Sequence, residues 1–252
     1  TILFCEEQFL KGKNVRPQFP GRNVGMMFGL ESSLHPFIGH PSYREIADLP
    51  LSERVKIMKD PAFKETLLNE KPNFASEIEK SMNEQGSTKS QEEIKEAANL
   101  GLKLISNYDT QFILGDPPNY EPGKEDSIAA LAESKGIAEL EVIYDEFLKN
   151  EGTNLVYACF TPYENHKLDF VERAYGLKSS VAGGSDGGAH CGLICDASMP
   201  TTNLSHWARD REAGKKIPIE LIVRKQTKDT AETYGLFDRG EIKTGMIADL
   251  NI

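Results

Sequence analysis

The chain has 252 residues, 39% hydrophobic and 27% charged, a soluble globular composition with enough material to bury a sizeable core in one large domain or two small ones. No apolar run approaches the ~20 residues that span a bilayer. The net charge is -10, and the 29 Lys and Arg are scattered rather than gathered into a basic stripe, which argues against nucleic acid and anionic membrane as partners.

Residues 2–11 read as a helix with Gly12 as its stop, and Asn14–Gln18 as a strand kept short by Pro17 and Pro20. Val24–Leu30 is apolar and broken by glycines, and can continue that strand. The stretch His35 to Pro50 is turn-rich, since His35-Pro36, His40-Pro41 and Leu49-Pro50 each fix the chain locally. One helix starts at Pro50 and another at Asp60-Pro61, where proline suits the first turn. Residues 71–100 are polar and read as a surface excursion, with Glu92–Leu100 compatible with a helix. Gln111–Leu114 is strand-like and runs into the loop Gly115-Asp116-Pro117-Pro118. Asp126-Ser127 caps a helix ending near Gly136. A second helix covers Ala138–Asn150, with Leu140, Ile143 and Phe147 on one face and Gly152 at its end.

Asn154–Phe160 predicts a buried strand, His166–Tyr175 a helix and Ser180–Gly184 a short strand, a βαβ unit with parallel strands. Asn203–Arg211 is helical in character. So is Pro218–Gln226, with Ile219, Ile222 and Val223 expected to face inward. The chain opens on Thr1 without an initiator Met and closes on Ala248-Asp249-Leu250-Asn251-Ile252 as a strand in progress, so it reads as a fragment, and a signal peptide ahead of it stays open.

Cys5, Cys159, Cys191 and Cys195 match no disulfide scaffold and read as free thiols of a reducing compartment, from which a cytoplasmic location is expected. His190, Cys191 and Cys195 form an H-C-x3-C cluster with no second half elsewhere, so a Cys-based structural zinc is not expected. His35 and His40 flank a proline-rich turn and read as ordered loop histidines.

The densest site signal is Gly183-Gly184-Ser185-Asp186-Gly187-Gly188-Ala189-His190, at the end of a strand, where parallel α/β folds build their sites. Glycines on both sides admit backbone or ligand close to Asp186, whose carboxylate can bind a metal or move a proton. A glycine-rich turn with aspartate as a local cap is the competing reading. His190 is a candidate substrate contact or a loop histidine bonded to backbone. Arg22, after a strand, can grip a substrate carboxylate in two-point fashion or be a plain surface arginine. Nucleotide-binding loops do not occur.

The run Ala182–Asp196 (AGGSDGGAHCGLICD), with Pro200-Thr201-Thr202 and His206-Trp207-Ala208-Arg209-Asp210-Arg211, resembles the end of a metal-dependent amidohydrolase barrel. The likeness is to the N-acyl-D-amino-acid deacylase (D-aminoacylase) group of amidohydrolase family 3. Ile38–Pro50, Gly115–Pro122 and the tail Tyr234–Leu250 are similar to the same group. The resemblance implies an α/β fold: residues 1–233 form the C-terminal part of a (β/α)8 barrel with a helical insertion at about 45–150, and 234–252 begin a small β-sandwich. Asn14–Gln18 and Ser180–Gly184 would be the seventh and eighth strands. It also implies hydrolysis of carbon–nitrogen bonds other than peptide bonds, assisted by one or two zinc or related divalent ions. Asp186 would be metal ligand and general base, with Arg22 and His190 as substrate contacts. An N-acyl amino acid or cyclic amide is the implied small-molecule partner. The family's other metal ligands, an early His-x-His pair among them, have no counterpart here, so the chain alone is expected to be inactive. The alternative is a non-catalytic binding or assembly protein that keeps a barrel-like scaffold without the metal site.

Overall fold

The computed structural model describes residues 1–74, 76–77, 80, 90–161, 163, 165–185, 192–194 and 196–251. They form a mixed α/β structure divided into two compact units. One comprises Thr1–Val24, Thr161–Ala189 and Cys195–Ile252; the other comprises Gly25–Phe160 with His190–Ile194. Among the described residues there are five strands: β1 (Gln18–Pro20), β2 (Val24–Phe28), β3 (Gln111–Ile113), β4 (Val156–Thr161) and β5 (Val181–Gly183). No helix among them is long and apolar enough to cross a membrane.

The unit built on Gly25–Phe160 is mostly helical. Its sheet has the order β2-β4-β3, with β4 antiparallel to β3 and Phe112 opposite Tyr157. Local chemistry sets the helix ends. Asp60 caps Pro61–Asn69 by accepting from the Ala62 N–H at 2.9 Å. Ser90 and Glu93 exchange bonds in a capping box at the start of Gln91–Ile105. Ser127 accepts from the Ala130 N–H at 3.1 Å to start Ile128–Lys135, and Gly136 ends that helix at φ +66°, a left-handed conformation that suits glycine. The helix Glu139–Phe147 buries Ile143 and Phe147, as its periodicity requires. Rings dominate the core: Phe37 lies 5.5 Å from Tyr144 and 5.7 Å from Phe147 in edge contacts, and His35 sits edge-on to Tyr43 at 4.8 Å. The polar stretch 71–100 is less of an excursion than its composition implies, since Phe74, Ile94 and Ala98 are buried.

In the other unit, β1 and β5 pair in parallel, with Gln18 opposite Val181, Phe19 opposite Ala182 and Pro20 opposite Gly183. Helices Ile2–Leu10, Asp169–Tyr175, Met199–Thr202, Ile219–Gln226 and Lys228–Thr233 accompany them, with a π-helix at Asn203–Asp210. Phe19 meets Tyr175 edge-on at 4.9 Å between centroids, and Tyr175 lies tilted against Trp207 at 5.5 Å. Buried charge accompanies these rings. The Lys225 ammonium is buried and donates to the carbonyls of Leu177 (2.6 Å) and Ser180 (2.7 Å), with Asp229 at 3.3 Å. Burial pulls its pKa down, and Asp229 opposes that pull. The Glu6 carboxylate accepts from the Lys178 and Ser179 N–H groups at 3.0 and 2.8 Å. Burial raises the Glu6 pKa, but these bonds outweigh it and the net shift is downward. Lys225 and Glu6 therefore clamp the turn that feeds β5.

Four sequence expectations differ from this structure. β4 and β5 do not form one βαβ unit: β4 belongs to the sheet with β2 and β3, and β5 pairs with β1. Strand propensity marks a strand but not its partner, which is fixed by residues far away in sequence. The strand expected at 14–18 lies at 18–20, where backbone pairing with β5 is made. Ile219 and Val223 are 52% and 45% exposed; of the three residues expected inward only Ile222 is buried, and Lys225 joins it on that face. No strand occurs among the described residues of 234–251, which run through turns with Ile242 93% exposed. Strands pair their N–H and C=O groups in ladders, whereas the backbone bonds here are turn-like, as from the Met246 N–H to the Lys243 carbonyl (3.1 Å) and from the Ile247 N–H to the Asp238 carbonyl (2.7 Å). Neither a closed barrel nor a β-sandwich is formed by the described residues.

Candidate functional site

The C-terminal ends of β1 and β5 lie side by side, since Pro20 and Gly183 are in register. Gly21-Arg22-Asn23 leave one strand and Gly184-Ser185 leave the other. Arg22 and Asn23 are both buried. The Arg22 side chain is only 1% exposed, and its Nη1 donates to Ser198 Oγ (3.1 Å) and Thr202 Oγ1 (2.9 Å). Two hydroxyls thus fix the orientation of the guanidinium, and they come from the helix Met199–Thr202 and the residue preceding it. A surface arginine is excluded by this placement.

Gly21 is held from both sides. Its N–H donates to the Met199 thioether at 3.2 Å, and its carbonyl accepts from Trp207 Nε1 at 2.5 Å. A side chain here would collide with Asn203, whose amide occupies the space a Cβ would need. The Asn203 Oδ1 is buried with no hydrogen-bond partner among the described residues. Trp207 is itself covered by the Arg211 guanidinium, 4.3 Å from its ring, and Arg211 Nη1 pairs with Glu172 at 2.6 Å. Gly184 adopts φ +84°, and a Cβ on it would meet Met199 Sδ at 2.9 Å. Glycine is required at that position by conformation and by space together.

Asp186 and His190, the other expected site residues, lie outside the described residues, as do Cys191 and Cys195. Cys5 and Cys159 are free thiols, and burial raises the Cys159 pKa. His35 and His40 are ordered and buried in the other unit; burial lowers the pKa of both, that of His35 to about 3. Among the described residues, no three His, Cys, Asp or Glu side chains gather closely enough to hold a metal ion, so those residues do not by themselves fit one. An open groove of about 800 Å³ along the π-helix, between Leu204 and Ile219, has no carboxylate or imidazole in its lining and does not coincide with the strand ends.

Sequence reasoning singled out Arg22 and missed Ser198, Thr202, Asn203 and Trp207 as its setting. The partners are up to 186 positions away, and no local pattern links them.

The described residues form a mixed α/β protein in which the C-terminal ends of two parallel strands carry glycines and a buried, oriented arginine. Residues 121–252 match the model of the amidohydrolase family, and the chain belongs to that family. Membership supports a hydrolase. No curated protein and no solved structure matches the chain.

Proposed function

We propose that this chain carries part of the active site of a metal-dependent hydrolase that cleaves carbon–nitrogen bonds other than peptide bonds, with an N-acyl-D-amino acid as its substrate. The observation that supports this reading is the parallel pairing of β1 with β5, in which Pro20, two residues before Arg22, stands opposite Gly183, three residues before Asp186 in the sequence. In this reading residues 1–233 are part of a (β/α)8 barrel in which β1 and β5 are neighbouring strands, with a helical insertion at about 45–150, and the enzyme is cytoplasmic.

Asp186 is the proposed general base, taking a proton and returning it to the leaving amine. It is also the one ligand this chain would give to a zinc or related divalent ion, one or two per site. Arg22, oriented by Ser198 and Thr202, is the proposed contact for the substrate carboxylate, a role suited to a planar, permanently charged fork. His190 is a second proposed contact. The remaining metal ligands are proposed to lie outside these 252 residues. This chain alone is then expected to show neither tight zinc binding nor turnover.

The test is run on the longer protein that contains this chain, with N-acetyl-D-amino acids and hydantoins as substrates. Acyl-D-amino acid hydrolysis should vanish on chelation, return with zinc, and fall about a thousandfold in Asp186→Asn. Full activity in that variant would sink the assignment of Asp186. No turnover with any divalent metal would favour a binding or assembly protein instead.

A further inference from the structure

The π-helix Asn203–Asp210 buries two residues, Asn203 and Trp207, and both address Gly21. The Asn203 amide fills the space beside the Gly21 Cα, and the Trp207 indole N–H donates to the Gly21 carbonyl at 2.5 Å. Trp207 is wholly buried and held in place. Its own carbonyl accepts from the Ile217 N–H at 2.9 Å, and the Arg211 guanidinium covers its ring at 4.3 Å. Arg211 is fixed in turn by Glu172 at 2.6 Å and by the Lys215 carbonyl at 2.9 Å. A Cβ on Gly214 would lie 2.7 Å from that guanidinium, so the chain at Gly214 passes directly against it.

The Gly21 carbonyl belongs to the peptide plane that ends on the Arg22 Cα, and that plane is rigid. The direction of the carbonyl therefore sets where the arginine side chain starts. Ser198 and Thr202 act at the other end, on Nη1. Two parallel bonds to a carboxylate demand a set direction for the guanidinium fork, which needs both ends of the side chain held. We propose that Trp207 is a positioning residue for Arg22: through the Gly21 carbonyl, its N–H holds the peptide plane from which the guanidinium is aimed at the substrate carboxylate. This rests on the reading of Arg22 as the carboxylate contact. No step of the chemistry passes through the indole, so losing its N–H weakens binding of the carboxylate and leaves turnover alone.

The longer protein that contains this chain is assayed with N-acetyl-D-alanine and with N-ethylacetamide, the same amide without its carboxylate. Trp207→Phe removes the donor. A benzothiophene analogue of tryptophan at position 207 removes it with the shape of the ring kept, in case the smaller ring does not fold. Each should raise KM for N-acetyl-D-alanine about tenfold, hold kcat within about twofold and leave N-ethylacetamide unaffected. In an Arg22→Ala background, either change at 207 should add nothing further to KM, because the side chain it positions is gone. If wild type shows no turnover, or Arg22→Ala leaves KM unchanged, the reading of Arg22 falls and takes this one with it. If Arg22→Ala raises KM and the changes at 207 do not, or if they act equally with and without Arg22, the positioning role alone is overturned.

Discussion

The two units are held together by different physics. Gly25–Phe160 relies on a ring cluster, with Phe28, Phe37, Tyr144 and Phe147 wholly buried. The unit of β1 and β5 has fewer rings and instead buries Arg22, Arg211, Lys225 and Asp229, while Leu3, Phe4, Phe237, Ile242 and Leu250 stay exposed. Apolar burial is non-directional and additive to a first approximation. Buried charge is stabilising only while every partner is in place, because desolvation is a fixed cost. The first unit should therefore lose stability in proportion to the volume removed, and the second according to whether partners are removed singly or together.

The largest expected effect is in the ring cluster. Phe37→Ala should cost about 3–5 kcal/mol in denaturant unfolding, the usual loss for a large ring deleted from a packed core. A loss under about 1 kcal/mol would show that the cluster is not the source of that unit's stability. Next is Lys225→Ala, which leaves Asp229 and two carbonyls short of a donor and should cost about 3 kcal/mol. The double change Lys225→Met with Asp229→Leu should cost less than that single one; a cost equal to the sum of the two single variants would break the contrast between the units.

Acid should act on the ring cluster through His35. Its folded pKa is about 3, against about 6.5 when unfolded, so between these values the unfolded chain binds a proton that the folded one does not. Stability is full above pH 6.5 and should fall as pH drops towards 3, by up to about 1.4 kcal/mol per pH unit. Burial of His40 adds in the same direction. Urea titrations at stepped pH should show this slope flattened in His35→Phe. The smallest effect should be at a helix end: Ser127→Ala removes the bond to the Ala130 N–H and should cost about 1 kcal/mol.

Helix boundaries were legible in the sequence where a cap was singled out, as at Asp60, Ser127 and Gly136, because capping is settled within four residues. Strand positions were visible to within a few residues, but their partners were not. β1 and β5 meet across some 160 positions, and nothing local in either announces the other. Lys225 was missed for a related reason: a lysine on a helix looks solvent-facing until the carbonyls of Leu177 and Ser180 are placed beside it. At the site, the glycine run marked the end of β5 and Arg22 stood out after a strand. The hydroxyls of Ser198 and Thr202 became readable only once the chain had folded back on itself.

Trp207 is the sole tryptophan of the chain, and its indole N–H is tied to the Gly21 carbonyl next to Arg22. Its fluorescence is therefore a built-in optical reporter of one unit alone. A red shift in emission would time the opening of the strand mouth, while the ring cluster of the other unit stays dark to selective indole excitation.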